Sequence, residues 1–206
     1  MKQNLLDYYR HTQNYDWTDA ADRWRGPETV LHRWRAALVR DTIAVLRTDT
    51  PWIDVGCGTG LCTRHLPAGS VGIDVNPRNV AHCKRYAPHV DVRVGEAESL
   101  DIPDAAFQQA LCTEVIEHFP DPTSLLRELH RVLMPGGILL ATTPRRSLLW
   151  HLRVLSRTCT GNQVEPFHCE FTRHALEALF AANHFTVVSL RPFCLRMQWL
   201  IIARAN

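Results

Sequence analysis

An α/β fold, in which a mostly parallel sheet carries helices on both faces, is predicted by three features of the sequence. Short apolar, β-branched runs such as Trp52-Ile53-Asp54-Val55 and Val71-Gly72-Ile73-Asp74 read as strands buried on both sides. Strand and helix patterns alternate along the chain, which implies right-handed crossovers. The first strand runs into Gly56-Cys57-Gly58-Thr59-Gly60, a glycine-rich turn that lets the backbone approach a ligand closely at a strand-to-helix junction.

The elements follow in order. From Leu5 to about Arg47 the pattern is helical and aromatic-rich, with Tyr8, Tyr9, Tyr15, Trp17, Trp24 and Trp34 ahead of the first strand. Gly26-Pro27 divides it, and Val30, Leu31, Trp34, Leu38 and Ile43 recur at helical spacing as the expected buried stripe of the second piece. The aromatics suit core packing or a lid over a ligand. A helix is expected over Leu61–Leu66, a strand ending at Asp74, and a helix from Pro77 through Tyr86. Val90–Val94, Ala106–Cys112 and Gly137–Thr142 read as strands three to five. Between the last two, an amphipathic helix from near Pro122 shows Leu125, Leu126, Leu129 and Leu133 on one face and ends at Pro135-Gly136. Leu148–Leu155 suggests a short helix in a substrate cover, followed by a turn at Thr160-Gly161-Asn162. Thr172 caps a helix through Ala182, and Phe185–Leu190 and Met197–Ala203 close the sheet as strands six and seven.

Composition narrows the class. A chain of 206 residues supports one domain, read as a helical N-terminal cap (1–47) on an α/β core (48–206) with a short insertion near 145–170. Hydrophobic residues at 46% and charged residues at 21% disfavour disorder, and no apolar run is long enough to span a membrane. The first ten residues lack the pattern of a secretory signal, so the cytoplasm is expected. Seven scattered cysteines, none in a C-x-x-C pair, read as reduced thiols. A net charge of only +2 disfavours nonspecific nucleic-acid binding. The pairs Arg33/Arg35 and Arg145-Arg146 read as local positive features of a solvated surface.

The acidic residues closing the first two strands point to a nucleoside site. Asp74 ends the second strand, where a carboxylate accepts hydrogen bonds from both hydroxyls of a ribose. The glycines stand as G-x-G-x-G, with Leu61 where the third glycine of a dinucleotide fingerprint would fall, which disfavours a nicotinamide dehydrogenase.

Through Asp54–Gly60, Gly72-Ile73-Asp74, Glu114-Val115-Ile116-Glu117-His118 and Leu133–Leu140, in the family's order and spacing, the chain resembles the class I S-adenosylmethionine-dependent methyltransferases. The resemblance is close from Pro51 to about Pro144, looser beyond, and hardly extends to the first forty residues. It implies a Rossmann-like seven-stranded sheet whose last strand is antiparallel and inserted beside the sixth. It also implies that S-adenosyl-L-methionine is the cofactor. Asp54 and the backbone around Gly56, Cys57 and Gly58 are then assigned to the methionine end, Asp74 with the adjoining Val75 to the ribose, and Glu96 and Ala97 to adenine. Cys112 and Glu114, at the carboxyl end of strand four, complete the expected cofactor set.

The run Glu114–His118 carries the mechanistic question. If helical, its spacing puts Glu114, Glu117 and His118 on one face. Ubiquinone-pathway O-methyltransferases and small-RNA terminal-ribose methyltransferases carry a similar E-x-x-E-H that holds a divalent metal. The fourth ligand here would then be His168. His118 as a metal-free general base, and a purely structural helix start, remain open beside this. The leading expectation is methyl transfer, most simply O-methylation, to a small apolar or aromatic hydroxylated metabolite, with His118 and His168 catalytic and a divalent metal as an alternative. Terminal-ribose methylation of RNA and a noncatalytic cofactor-binding partner subunit are the rivals.

Overall fold

Runs that are apolar at every position need cover on both faces, and the central strands receive it. The structure, a computed structural model, describes residues 2–24, 26, 28–46, 50–149 and 167–206. Its seven-stranded sheet comprises β1 (Trp52–Val55), β2 (Val71–Asp74), β3 (Asp91–Val94), β4 (Phe107–Thr113), β5 (Leu133–Pro144), β6 (Phe185–Phe193) and β7 (Gln198–Ala205). The order is β3-β2-β1-β4-β5-β7-β6. The first five pair in parallel, with Ile53 opposite both Val71 and Ala110, while β7 lies antiparallel between β5 and β6. The order reverses between β1 and β4, and open α/β sheets bind ligands above the carboxyl ends of the strands at such a point.

Alternation of side chains along each strand splits the core in two. Ile53 and Val55 face one side and pack with Leu125, Leu126, Leu129 and Val132 of the helix Thr123–Val132 and with Leu176 and Phe180 of the helix Arg173–Ala182. Trp52 faces the other side, with Ala36, Val39 and Ile43 of the helix Glu28–Leu46 and Val80 and Cys83 of the helix Pro77–Tyr86. In chain order, the described helices are α1 (Lys2–Asp7), α2 (Trp17–Asp22), α3 (Glu28–Leu46), α4 (Pro77–Tyr86), α5 (Thr123–Val132) and α6 (Arg173–Ala182). The predicted Thr172 cap is in place, its Oγ1 accepting from the Ala175 amide at 3.2 Å, and Asn76, just before Pro77, caps α4 by accepting at Oδ1 from the Arg78 amide at 2.9 Å.

Four expectations are corrected. Leu61–Leu66 is not an α-helix; it holds only a 3₁₀ turn over Thr63–His65. Strand five begins at Leu133, earlier than expected, immediately after α5 ends at Val132. The segment 114–118 is not α-helical: Glu114 has a positive φ of 54°, and a 3₁₀ turn follows over Ile116–His118. Finally, the buried stripe of α3 is rotated. Val30 and Trp34 are 49% and 46% exposed, while Thr29, His32, Arg35, Ala36, Val39 and Thr42 are buried. Polar residues occupy the inward face because that face looks onto the site described below. The expected break at Pro27 and most of the expected helix at 148–155 and turn at 160–162 lie outside the described residues.

The N-terminal segment is tied across the sheet edge. α1 continues into a π-helical turn over Tyr8–Thr12, and Asn76 Nδ2 donates to the carbonyls of Tyr9 (2.9 Å) and Gln13 (2.8 Å). The Thr18 hydroxyl, on α2, donates to the Thr59 carbonyl at 2.9 Å, which fixes α2 against the glycine turn.

Candidate functional site

Above the carboxyl ends of β1, β2 and β4 lies a cavity of about 1210 Å³, enclosed by the glycine turn, the N-terminal segment, α3 and the strap 168–170. Its first wall is the turn after β1. The amides of Gly56 and Cys57 both donate to the Ile73 carbonyl, at 2.8 and 3.0 Å. Gly56 adopts φ 78°, and a Cβ there would run into the Val115 side chain. Backbone is therefore what Gly56 presents to the cavity. Cys57 also lines it; interaction with Cys83 and burial hold its thiol protonated, well above the usual range.

Asp74 closes β2 at the cavity wall. Its Oδ2 accepts from the Gly58 amide (2.8 Å), and its Oδ1 from the Asn76 amide (2.9 Å) and Asn79 Nδ2 (3.2 Å). Burial raises its pKa against these bonds. Val75, Glu96 and Ala97 line the same wall, and Glu96 Oε1 takes an ion pair from Arg10 Nη2 at 2.7 Å.

Two expected site residues are not on the wall. Asp54 is fully buried behind the glycine turn, where the Thr63 hydroxyl donates to its Oδ2 at 2.7 Å. Burial, with a smaller push from Asp74, raises its pKa to about 7 against the Thr63 bond. Cys112 is fully buried in the core, because strand alternation turns it away from the ligand side; Thr113 reaches the cavity instead.

Glu114 lines the cavity from its left-handed backbone position. Its Oε1 accepts from the Thr142 hydroxyl (2.9 Å), its Oε2 from Gln198 Nε2 (2.6 Å), and Arg35 Nη1 lies 3.2 Å from Oε2. Glu117 is buried at 1% exposure and accepts from the Thr143 hydroxyl at 3.0 Å. The two carboxylates thus serve different partners and share no helical face. Among the described residues no three His, Cys, Asp or Glu side chains converge to hold a metal ion. The expected metal site, with His168 as its fourth ligand, does not fit this arrangement.

The histidines do meet. His118 and His168 line one end of the cavity with ring centroids 5.6 Å apart, edge to face. His118 Nδ1 is 2.7 Å from the Tyr9 hydroxyl. Burial, then the neighbouring His168, lowers the His118 pKa to about 3, so its imidazole is neutral at physiological pH. His168 is the exposed member of the pair.

Arg35 and Gln198 escaped the sequence as cavity residues, and Tyr9, one of the aromatics read as core or lid, was seen without its partner. Arg35 reads there as one of a surface pair, yet it is 7% exposed and lines the cavity. Tyr9 and Gln198 meet their partners across 109 and 84 residues of chain, a separation that leaves no local signal. Several buried side-chain atoms without a hydrogen-bond partner among the described residues cluster here: Gln13 Oε1, Arg35 Nε, Asn79 Oδ1 and Gln198 Oε1 on lining residues, and Asp54 Oδ1 just behind. Buried polar groups are normally satisfied, so this concentration marks a site shaped for a ligand rich in donors and acceptors. S-adenosylmethionine, with an ammonium, a carboxylate, a ribose diol and an adenine, is such a ligand.

Comparison with known proteins agrees. A family model described as a methyltransferase domain matches residues 53–141. The chain is 34% identical over 139 residues to the ubiquinone biosynthesis O-methyltransferase of Xanthomonas axonopodis pv. citri, covering 62% of this chain and 58% of that protein. It is 31% identical over 159 residues to the protein of the same name from Xanthomonas campestris pv. campestris strain B100, covering 70% of this chain and 66% of the other. The chain thus spans less than two thirds of these relatives' length. In fold it matches the magnesium protoporphyrin IX methyltransferase of Synechocystis PCC 6803 with a TM-score of 0.73 and 15% identity over the full length of both chains.

Proposed function

We propose that this chain is an S-adenosylmethionine-dependent methyltransferase, that its cavity binds S-adenosylmethionine and that it methylates the oxygen of a small, apolar or aromatic hydroxylated acceptor. One observation carries the reading. A single cavity joins a nucleoside-type wall at Asp74, Val75, Glu96 and Ala97 to a paired-histidine end at His118 and His168, with Leu5, Leu6, Leu31 and Met197 among its apolar lining. Its volume of about 1210 Å³ exceeds the roughly 300–1,000 Å³ of an ordinary small-molecule site, enough for a cofactor and an acceptor side by side.

Asp74 takes the ribose hydroxyls on the lone pairs its amide bonds leave open. Glu96 Oε2, not engaged by Arg10, takes the adenine amino group, with the Ala97 amide beside it. The backbone of Gly56, Cys57 and Gly58 receives the methionine end, with Asp54 set behind it. Glu114 contributes from the far wall, where Arg35 and Gln198 hold its carboxylate. When bound, S-adenosylmethionine supplies a methyl group already activated by its sulfonium, so no enzyme nucleophile is needed.

A hydroxyl acceptor must still lose its proton. A base whose pKa sits far below the working pH accepts a proton poorly, which makes His118 a poor base. His168, exposed at the same end, receives the proton and passes it to solvent. His118, neutral and tied to Tyr9, orients His168 and the acceptor. None of the described helices is long and apolar enough to cross a membrane.

Calorimetric titration with S-adenosylmethionine and, separately, NAD tests the cofactor. Binding of S-adenosylmethionine alone, followed by S-adenosylhomocysteine release with phenolic acceptors, is the expected result. Binding of NAD alone overturns the reading. S-adenosylmethionine binding with no product from any hydroxylated acceptor overturns O-methylation and favours a noncatalytic subunit.

A further inference from the structure

Arg145-Arg146, a pair the catalytic cavity leaves unused, opens onto a second, smaller cavity of about 300 Å³. Arg173 and Arg196 join the pair there, with Thr172 and Trp199 completing the wall. Four arginines line this space, and the one ion pair to a carboxylate that they make among the described residues is Arg173 with Glu177 at 3.0 Å. Such a concentration of like charge is unfavourable unless an anion or bulk solvent answers it.

The arginines are held in position by the fold. Arg145 stacks over the Trp199 ring at 5.0 Å and donates through Nη1 to the Arg196 carbonyl at 3.0 Å. Arg173 approaches the same ring at 5.5 Å and donates through Nη2 to the Leu190 carbonyl at 2.6 Å. Arg196 arrives on the turn between β6 and β7, where Cys194, Leu195 and Arg196 all adopt left-handed backbone, with φ of 46°, 54° and 64°. Three such residues in a row without a glycine are strained, and strain of this kind persists where it places a side chain. The N-terminus of α6 opens at Thr172, adding the positive end of a helix dipole.

We infer that this second cavity binds a dianionic phosphoryl group. Planar guanidinium forks held in place match the oxygens of a phosphate better than they match a single carboxylate, and several together favour a doubly charged ligand. The cavity is independent of the methyl-transfer reading, but the two sites share their walls. The strap contributes His168 and Glu170 to the large cavity, and the start of α6 that follows it contributes Thr172 and Arg173 to the small one. The β6–β7 turn and the start of β7 likewise contribute Met197 and Gln198 to one and Arg196 and Trp199 to the other. A phosphoryl group seated here therefore lies directly behind the segment that carries His168. The group belongs either to a free phosphate ester or to an acidic lipid headgroup.

The full chain titrated calorimetrically with inorganic phosphate, and sedimented with phosphatidate or phosphatidylcholine vesicles, tests this. The expected result is binding that weakens about tenfold in Arg145→Ala and in Arg196→Ala, as loss of one charge-assisted contact implies. Arg93→Ala, on the far edge strand and paired with Asp91, binds as the parent does. Arg146→Ala, at an exposed position, serves as the second variant should either of the others fold poorly, and unchanged S-adenosylmethionine affinity reports an intact fold. Inorganic phosphate binding without retention on phosphatidate vesicles identifies a soluble phosphoryl ligand; retention on phosphatidate but not phosphatidylcholine, lost in the variants, identifies a headgroup. No binding in either arm, or equal binding by the parent and all three arginine variants, overturns the inference.

Discussion

Asp74 accepts three hydrogen bonds from its own chain and still faces the cavity, so its carboxylate both shapes the glycine turn and stands ready for a ribose. Asp74→Ala removes two ligand hydrogen bonds to a charged group and is expected to weaken S-adenosylmethionine binding about 100-fold by calorimetry. Asp74→Asn, which keeps an acceptor for the Gly58 amide, is expected to lie between; parent-like affinity in both excludes the assigned role. His118 gives a pH signature. Its pKa is about 3 in the fold against about 6.5 in an unfolded chain, so the unfolded state binds the proton more readily. Its contribution is fully present above pH 6.5 and is lost as pH falls towards 3. His118→Gln should therefore flatten the acid side of the stability profile across that window, by about 2 kcal/mol after solvent screening, in urea titrations at stepped pH. An acid limb as steep as the parent's would show that the imidazole is not held neutral by the fold.

At the scale of elements, α3 separates what periodicity can reveal from what it cannot. Its apolar residues Val30 and Trp34 face outward, whereas His32 and Arg35 face the cavity, so the hydrophobic pattern held at Leu31, Leu38 and Ile43 but misplaced the rest of the buried face. Stability measurements should reverse the usual weighting. Val39→Ala, at a fully buried position, is expected to cost about 2 kcal/mol, and Trp34→Ala less than about 1 kcal/mol, in chemical denaturation. A larger loss at Trp34 would restore the original stripe. The same contrast explains which parts of the molecule were legible. β1, β2, α4 and α6 rest on local patterns: apolar runs, Pro77 behind the Asn76 cap, and Thr172 at its cap position. The glycine turn and Asp74 were visible because their residue types answer a backbone need. Glu114 was placed at the carboxyl end of strand four and does line the cavity, but its left-handed backbone was not legible, because a left-handed glutamate has no signal of its own; it is held there by Thr142, Gln198 and Arg35, contributed by β5, β7 and α3. Cys112 was misplaced by one strand position, enough to turn a side chain to the opposite face.

At the scale of the whole molecule, the N-terminal segment links both ends of the cavity. Arg10 reaches Glu96 beside the expected adenine, Tyr9 reaches His118 at the histidine end, and Asn76 anchors the backbone between them. Leu5 and Leu6 close the space above. The segment's ties differ in strength. The Arg10–Glu96 pair is solvent-exposed, with side chains 32% and 46% accessible, and an exposed pair of this kind is worth at most about 1 kcal/mol. Arg10→Ala is therefore expected to speed S-adenosylmethionine release by no more than about fivefold in stopped-flow displacement, leaving the chemical step unchanged. Tyr9→Phe acts at the other end. It removes the hydroxyl that fixes His118 without removing the ring, so it should lower turnover while leaving cofactor affinity within about twofold. The two variants separate a cover that retains the cofactor from one that also completes the reacting end. If Tyr9→Phe turns over at the parent rate while Arg10→Ala releases cofactor faster, the segment is a latch alone. If Tyr9→Phe loses turnover at full cofactor occupancy, closure of the segment is itself a condition for methyl transfer.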